Sequence, residues 1–212
     1  MIGTIIGVIV LLALAVLFGW LAMRAWGSQR AWLKWLGVIL SGLLTLVFLL
    51  LFVVALIGTF KLYAPASNPV AQVKVAGTPE QIKRGEKFAS FCAGCHSTSG
   101  NLPLDGSKTN FVEEGPPVGT VFASNLTPAG ELKDWSDGEI IRALREGVHK
   151  SGRPLIIMPS NIFRNLSDAD AQAIVAYLRS QPATKNNPGA DAPANQLNLL
   201  GALFVGAGMF PT

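Results

Sequence analysis

The sequence predicts an all-α chain: two N-terminal transmembrane helices, then a small helical domain, then a short apolar C-terminal helix. Three observations carry this. Two long runs near the N-terminus are free of charge, helix-starting patterns recur from Thr78 onward, and a last uncharged run covers 197–210. The boundaries that follow are a two-helix anchor at 1–62, a linker at 63–79, a helical domain at 80–185 and an apolar tail at 186–212.

The first run, 2–23, holds 22 residues without one charge. As a helix it is about 33 Å long, enough to cross a hydrocarbon core of about 30 Å. The second, 36–60, has 25 uncharged residues and can cross with some tilt. Between them lie Arg24, Arg30 and Lys34, with Trp20, Trp26, Trp32 and Trp35 at the edges, where indoles favour the headgroup region. Positive charge concentrated in this loop places it in the cytoplasm. Everything after Phe60 then faces the periplasm or the cell exterior. The competing reading is a cleaved signal peptide, but no basic residue precedes Ile2 and the first run is long for such a peptide's apolar core. Ala64-Pro65-Ala66 loosely resembles a cleavage site and reads better as the start of a linker. No cysteine near the N-terminus offers a lipid anchor, so the helices are the expected anchor. Pro65, Pro69 and Pro79 suit an extended, semi-rigid tether of at most about 56 Å.

Composition excludes two classes. Hydrophobic residues make up 50% and charged ones 14%, against roughly 25% charged in ordinary globular chains, so disorder is not the main state. The net charge of +4 belongs to residues 1–62, which carry Arg24, Arg30, Lys34 and Lys61 and no acid. The remainder holds 13 basic and 13 acidic residues, leaving no surplus to neutralise nucleic-acid phosphates.

The only two cysteines stand in Cys92-Ala93-Gly94-Cys95-His96, the c-type haem attachment pattern. Two thiols at this spacing add across two vinyl groups of one porphyrin edge, and the adjacent imidazole becomes the proximal iron ligand. A zinc site would want a second ligand pair, and beyond this run only His149 remains. A redox pair would be expected in a βαβ unit, whereas a helix-like stretch precedes Cys92 here; a plain disulfide is the third competitor. One covalent haem c with iron is the reading that uses every residue of the run.

Three residues could supply the sixth ligand: Met158, His149 and Met209. Met158 stands in Ile156-Ile157-Met158-Pro159, an apolar loop stretch made extended by the proline. His149 reads as an exposed helix end. Met158 is therefore favoured, against the alternative that it only packs in the core. Around the site, Thr78-Pro79 opens one helix, Ser136-Asp137-Gly138-Glu139 is a capping box before a stripe ending at Gly147, and Ser167 starts a third helix.

Gly85-x-x-x-Phe-Ala-x-x-Cys92-x-x-Cys-His96 resembles the first helix and haem site of class I cytochromes c, in which the glycine and aromatic cross an aromatic on the last helix; Tyr177 is the match here. Phe122-Ala-Ser-Asn125-Leu-Thr127-Pro, Trp135-Ser, Arg142-Ala-Leu-Arg145-Glu-Gly147, Gly152-Arg-Pro-Leu and Met158-Pro159 are similar to the haem domains of membrane-bound alcohol dehydrogenase cytochrome c subunits. The resemblance covers about 80–182. It implies Met158 as distal ligand, with Trp135 and Arg145 near the propionates. Those subunits carry three haem domains and this chain one, and two spanning helices before the haem domain look more like an integral subunit of a respiratory complex, such as one resembling alternative complex III.

The expected function is a one-electron carrier, cofactor-bound at Cys92, Cys95, His96, Met158, Trp135 and Arg145, with His96 and Met158 on the iron. It is expected as a fixed, multi-pass subunit of a respiratory or photosynthetic electron-transfer complex in the cytoplasmic membrane. Its partners would be other membrane subunits and the redox proteins that donate and accept the electron. A haem peroxidase or reductase would need an open iron position with acid–base groups, and a haem sensor a displaceable ligand and an output domain. The spans carry no internal acid, histidine or arginine, so they offer no proton path. Gly37, Gly42 and Gly58 could admit close helix packing against partners, and the tail is expected to be interfacial or partner-covered, being too short to cross.

Overall fold

The computed structural model describes residues 2–107, 109–184 and 196–210; the part of the expected tail at 186–195 lies outside them. The helices run in the order α1 (Ile2–Trp26), α2 (Ala31–Tyr63), α3 (Pro79–His96), α4 (Asp137–Glu146), α5 (Ser160–Phe163), α6 (Asp168–Ser180) and α7 (Leu199–Gly206). Two-residue strands β1 (Gly119–Thr120) and β2 (Gln196–Leu197) are the strands among the described residues. The chain forms two units, 1–62 with 197–209 and 63–196 with 210–212.

In the first unit both helices outrun their uncharged cores, so the connecting loop contracts to four residues and Arg24 and Lys34 lie within helix ends. Both helices are long and apolar enough to cross a membrane. Their outer faces expose large apolar side chains almost throughout, while a small cluster of Val8, Leu11 and Ala55 is buried with Leu199 and Leu203 beside it. That cluster is where α7 sits. The tail, expected to be interfacial or partner-covered, packs one face on its own chain's helices and leaves Leu200 and Met209 exposed. Asn198 caps α7, and Thr4 Oγ1 donates to the Leu197 carbonyl at 3.1 Å.

Glycine makes the seat. A Cβ on Gly58 would stand 1.7 Å from the Ala202 carbonyl oxygen, and one on Gly206 would stand 2.0 Å from that of Val54. Backbones this close gain dispersion contacts that larger side chains would forbid. Gly42 meets nothing within 4 Å. Of the three glycines expected to favour packing, Gly58 is thus the one used against α7.

In the second unit, α3, α4 and α6 begin where the sequence signals them. Thr78 Oγ1 accepts from Gln81 N–H at 3.3 Å and the Gln81 side chain accepts from Thr78 N–H at 3.2 Å. Ser136 and Glu139 form the same reciprocal box at 3.2 and 2.7 Å, and Ser167 accepts from Asp170 N–H at 3.1 Å. Each box satisfies amide donors that a helix start leaves open. Gly147 ends α4 with φ of 65°, a conformation that favours glycine.

Helices α3 and α6 cross at Gly85, where a Cβ would lie 1.9 Å from the Ala173 carbonyl oxygen and 2.9 Å from Tyr177 Cβ. This is the crossing the resemblance implied, with Tyr177 as the aromatic. Ala89 and Ala93 of α3 continue the buried seam with Ile174, Val175 and Leu178 of α6.

Residues 65–75, expected as an extended tether, lie strapped along this domain. Ala66 N–H donates to the Gly152 carbonyl at 2.8 Å, Arg142 Nη1 to that of Asn68 at 3.1 Å, and Val75 N–H to Asp137 Oδ2 at 2.8 Å. An extended, proline-rich segment leaves most of its amides open, Val73 N–H to the Ala71 carbonyl at 3.0 Å aside, and α4 with the turn after it supplies partners.

Gly206→Leu should unseat α7, since overpacking costs about 1–3 kcal/mol. Thermal unfolding in mild detergent should show a lower midpoint and limited proteolysis an earlier loss of the C-terminal segment, with Gly42→Leu unchanged in both. Equal behaviour of the two variants would contradict the glycine seat.

Candidate functional site

The second unit encloses a mostly apolar cavity of about 1120 Å³, counting its open mouth. Cys92, Cys95 and His96, on the last turns of α3, line it together with Met158 and Trp135. A helix places residues three and four apart on one face, and so directs Cys92, Cys95 and His96 to one wall. Cys92 is half-buried and Cys95 exposed; before any attachment, burial and the neighbouring Cys95 hold the Cys92 thiol up at about 11.

His96 Nδ1 lies 2.8 Å from the Ser124 carbonyl oxygen. A carbonyl only accepts, so this nitrogen carries the proton and Nε2 keeps a free lone pair. Burial lowers the imidazole's pKa, outweighing the bond to Ser124 and the charge of Glu131, and keeps the ring neutral. A neutral imidazole held in one tautomer is a ready metal ligand.

Ser124 belongs to a long loop pinned at several points. Gly106 N–H donates to the His96 carbonyl and Leu126 N–H to that of Leu104, both at 2.8 Å. Buried Asn125 accepts from Thr127 N–H and Oγ1 and donates to the Thr184 carbonyl at 2.8 Å. Gln181, just past α6, accepts from Leu104 N–H at 2.8 Å.

Met158 lies in the loop between α4 and α5. The residue before it, Ile157, has φ of 69°, a region costly for a β-branched residue. Leu155 N–H to the Gly147 carbonyl at 2.6 Å and Ser160 N–H to that of Met158 at 2.8 Å hold the loop on either side. Met158 is thereby presented to the cavity by a constrained backbone. Of the other candidates, Met209 is exposed, and His149 bonds to Glu131 at 3.1 Å and Ser151 at 2.8 Å, edge-on to Trp135 at 4.7 Å between ring centroids.

Trp135 is buried in the wall. Arg145 does not line the cavity; its Nη2 donates to the Leu166 carbonyl at 2.6 Å and to Asp168 Oδ1 at 2.8 Å, tying α4 to the start of α6. The arginine that lines the cavity is Arg153, whose Nη1 is buried and without a hydrogen-bond partner. Glu131 lines it too. Burial works against the Glu131 charge, yet hydrogen bonds from the His149 ring and the Ser124 hydroxyl, with the charges of His149 and Arg153, bring its pKa below the ordinary value. Among the described residues no three His, Cys, Asp or Glu gather as a metal cluster would require, whereas two cysteines, a tautomer-fixed imidazole, a thioether and an arginine with an unbonded Nη1 around an apolar cavity fit a haem with its acid groups.

The cytochrome c family model matches residues 82–182. Residues 82–182 are a cytochrome c domain. The cofactor of such a domain is covalently attached haem c with its iron, and its role is electron transport. The chain is also similar to a nicotinate dehydrogenase subunit of Pseudomonas putida, 38% identical over 121 residues, covering 55% of this chain and 10% of that protein. It is similar to the fructose dehydrogenase cytochrome subunit of Gluconobacter japonicus, 33% identical over 99 residues, covering 44% of this chain and 20% of that protein. The matched regions thus span a tenth to a fifth of these relatives.

Because the folded cytochrome c domain holds the Glu131 pKa below its unfolded value, chiefly through the His149–Glu131 contact, the stabilisation from that pair is present above about pH 4.5 and lost as pH falls through the folded pKa. Glu131→Gln should flatten that part of an acid titration followed by absorbance of the holoprotein. Superimposable wild-type and variant titrations would contradict the role of the pair.

Proposed function

We propose that this chain is a membrane-anchored one-electron carrier, its haem c attached through Cys92 and Cys95 and its axial ligands supplied by His96 and Met158. The observation that carries the reading is one apolar cavity lined by both thiols, the Nδ1-protonated His96 and Met158. When bound, haem supplies an iron that takes up and gives back a single electron. His96 offers Nε2, kept free of a proton by the Ser124 carbonyl. Met158 offers a soft thioether that favours the ferrous state, from a loop stiff enough to keep it in place. The apolar walls exclude water and hold the local dielectric low. Arg153 and Trp135, which line the cavity, would offer charge and hydrogen bonding to the acid groups of the cofactor, while Arg145 bonds to Asp168 across the α4–α6 join. Phe91 and Phe111 at the cavity mouth, both exposed, give partners an apolar approach.

α1 and α2 are the anchor, with the haem domain on the periplasmic or exterior face. The three cations between them, against Lys61 alone at the other end, support that orientation. The chain works as a fixed subunit: both relatives are by name dehydrogenase subunits, which supports partner subunits in an electron-transfer complex. Two spanning helices also exceed what membrane residence requires. α1 and α2 cover only the Gly201, Ala202 and Val205 face of α7.

Met158→Ala should keep the covalent haem, seen by haem staining of denaturing gels at the mass of the chain. Its optical spectrum should turn high-spin and its potential fall by on the order of 0.1 V, a fraction of the roughly 0.8 V that axial ligands command. A native-like spectrum would move the ligand to another residue. Loss of stain from wild-type chain after acid–acetone extraction would overturn covalent attachment.

A further inference from the structure

The short connection between α1 and α2 holds a cluster that electron transfer does not use. Arg24, Arg30 and Lys34 fall within eleven residues, and no aspartate or glutamate occurs before Glu80. None of the ion pairs among the described residues includes any of the three. Two of the cations rest on indole faces, Arg24 at 5.5 Å from the Trp20 centroid and Lys34 at 4.2 Å from that of Trp26. Trp26 in turn meets Trp35 edge-on at 5.8 Å. All four tryptophans of the cluster, Trp32 included, are exposed by about half or more. Arg24 and Lys34 are therefore oriented by aromatic rings, and none of the three cations has a counter-charge among the ion pairs of the described residues.

We propose that this cluster is a binding surface for anionic phospholipid headgroups; the proposal rests on the reading of α1 and α2 as membrane spans. A counter-charge must come from outside the unit, and the position of the cluster fixes its source. It terminates two apolar helices with a ring of indoles, the arrangement that settles at the level of lipid headgroups. There the available anions are phosphates of acidic lipids, attracted by clustered cations within a Debye length of the surface. Arginine can take a phosphate through two parallel N–H bonds and lysine as a point charge. The indoles beneath them are an apolar floor for the upper acyl carbons.

Tryptophan emission reads this surface directly, because four of the five tryptophans belong to it and the fifth, Trp135, lines the haem cavity, where bound haem quenches it. The full holoprotein is reconstituted into phosphatidylcholine vesicles containing an equal small fraction of either brominated phosphatidylglycerol or brominated phosphatidylcholine. Quenching by the brominated anionic lipid should exceed that by the zwitterionic one on the order of threefold. In Arg24→Gln/Arg30→Gln/Lys34→Gln the excess should vanish while quenching by brominated phosphatidylcholine persists, and Arg24→Lys/Arg30→Lys/Lys34→Arg should keep the excess. Equal quenching of the native chain by the two lipids, or an excess that survives the glutamine variant, overturns the lipid surface. No quenching by either lipid overturns the membrane reading beneath it.

Discussion

The haem domain depends on the close crossing of α3 and α6 at Gly85. A domain with a cavity at its centre cannot be held together through that centre, so its helices must grip one another at the edge. The gap at Gly85, closed to any side chain by the Ala173 carbonyl, lets the two backbones meet. From that fixed point the last turns of α3 carry Cys92, Cys95 and His96 into one wall. Gln181, just beyond α6, bonds Leu104 N–H and pins the loop whose Ser124 carbonyl selects the His96 tautomer. A change at the crossing would therefore reach the His96 ring and its tautomer without touching the cavity.

The opposite demand, adjustability, falls to loops. Met158 is carried by an irregular segment with Ile157 in the left-handed region, a conformation that persists only where its surroundings impose it. The strap at 65–75 contributes to those surroundings. Arg142, buried and shared among the carbonyls of Asn68, His149 and Lys150, links the strap to the turn that precedes the Met158 segment. In the other unit the same economy of small residues appears at Gly58 and Gly206, where α7 takes over surface that partner subunits were expected to cover.

Much of this is legible in the sequence because its signals are local. Caps at Thr78, Ser136 and Ser167 act within four residues, uncharged runs declare their own length, and the Cys-x-x-Cys-His spacing is set by the porphyrin edge. What escapes is decided by distant contacts. The strap at 65–75 reads as a tether because proline-rich chains lack partners of their own, and its partners lie beyond residue 136. Arg145 and Arg153 are both plausible companions of a haem. Only packing shows that the α4 position turns Arg145 towards Asp168 while the Gly152-Arg-Pro turn aims Arg153 inward. The seat of α7 depends on residues almost 150 positions apart, Gly58 and Gly206, and no periodicity records it.

The central claim is that His96 and Met158 both bind the iron. Low-temperature magnetic circular dichroism of the ferric, full-length protein reads the axial pair through its near-infrared charge-transfer band, whose energy separates a nitrogen–sulfur pair from two nitrogens. The account predicts the histidine–methionine band as the dominant low-spin species. A band typical of two nitrogen ligands, or a purely high-spin spectrum, would contradict it.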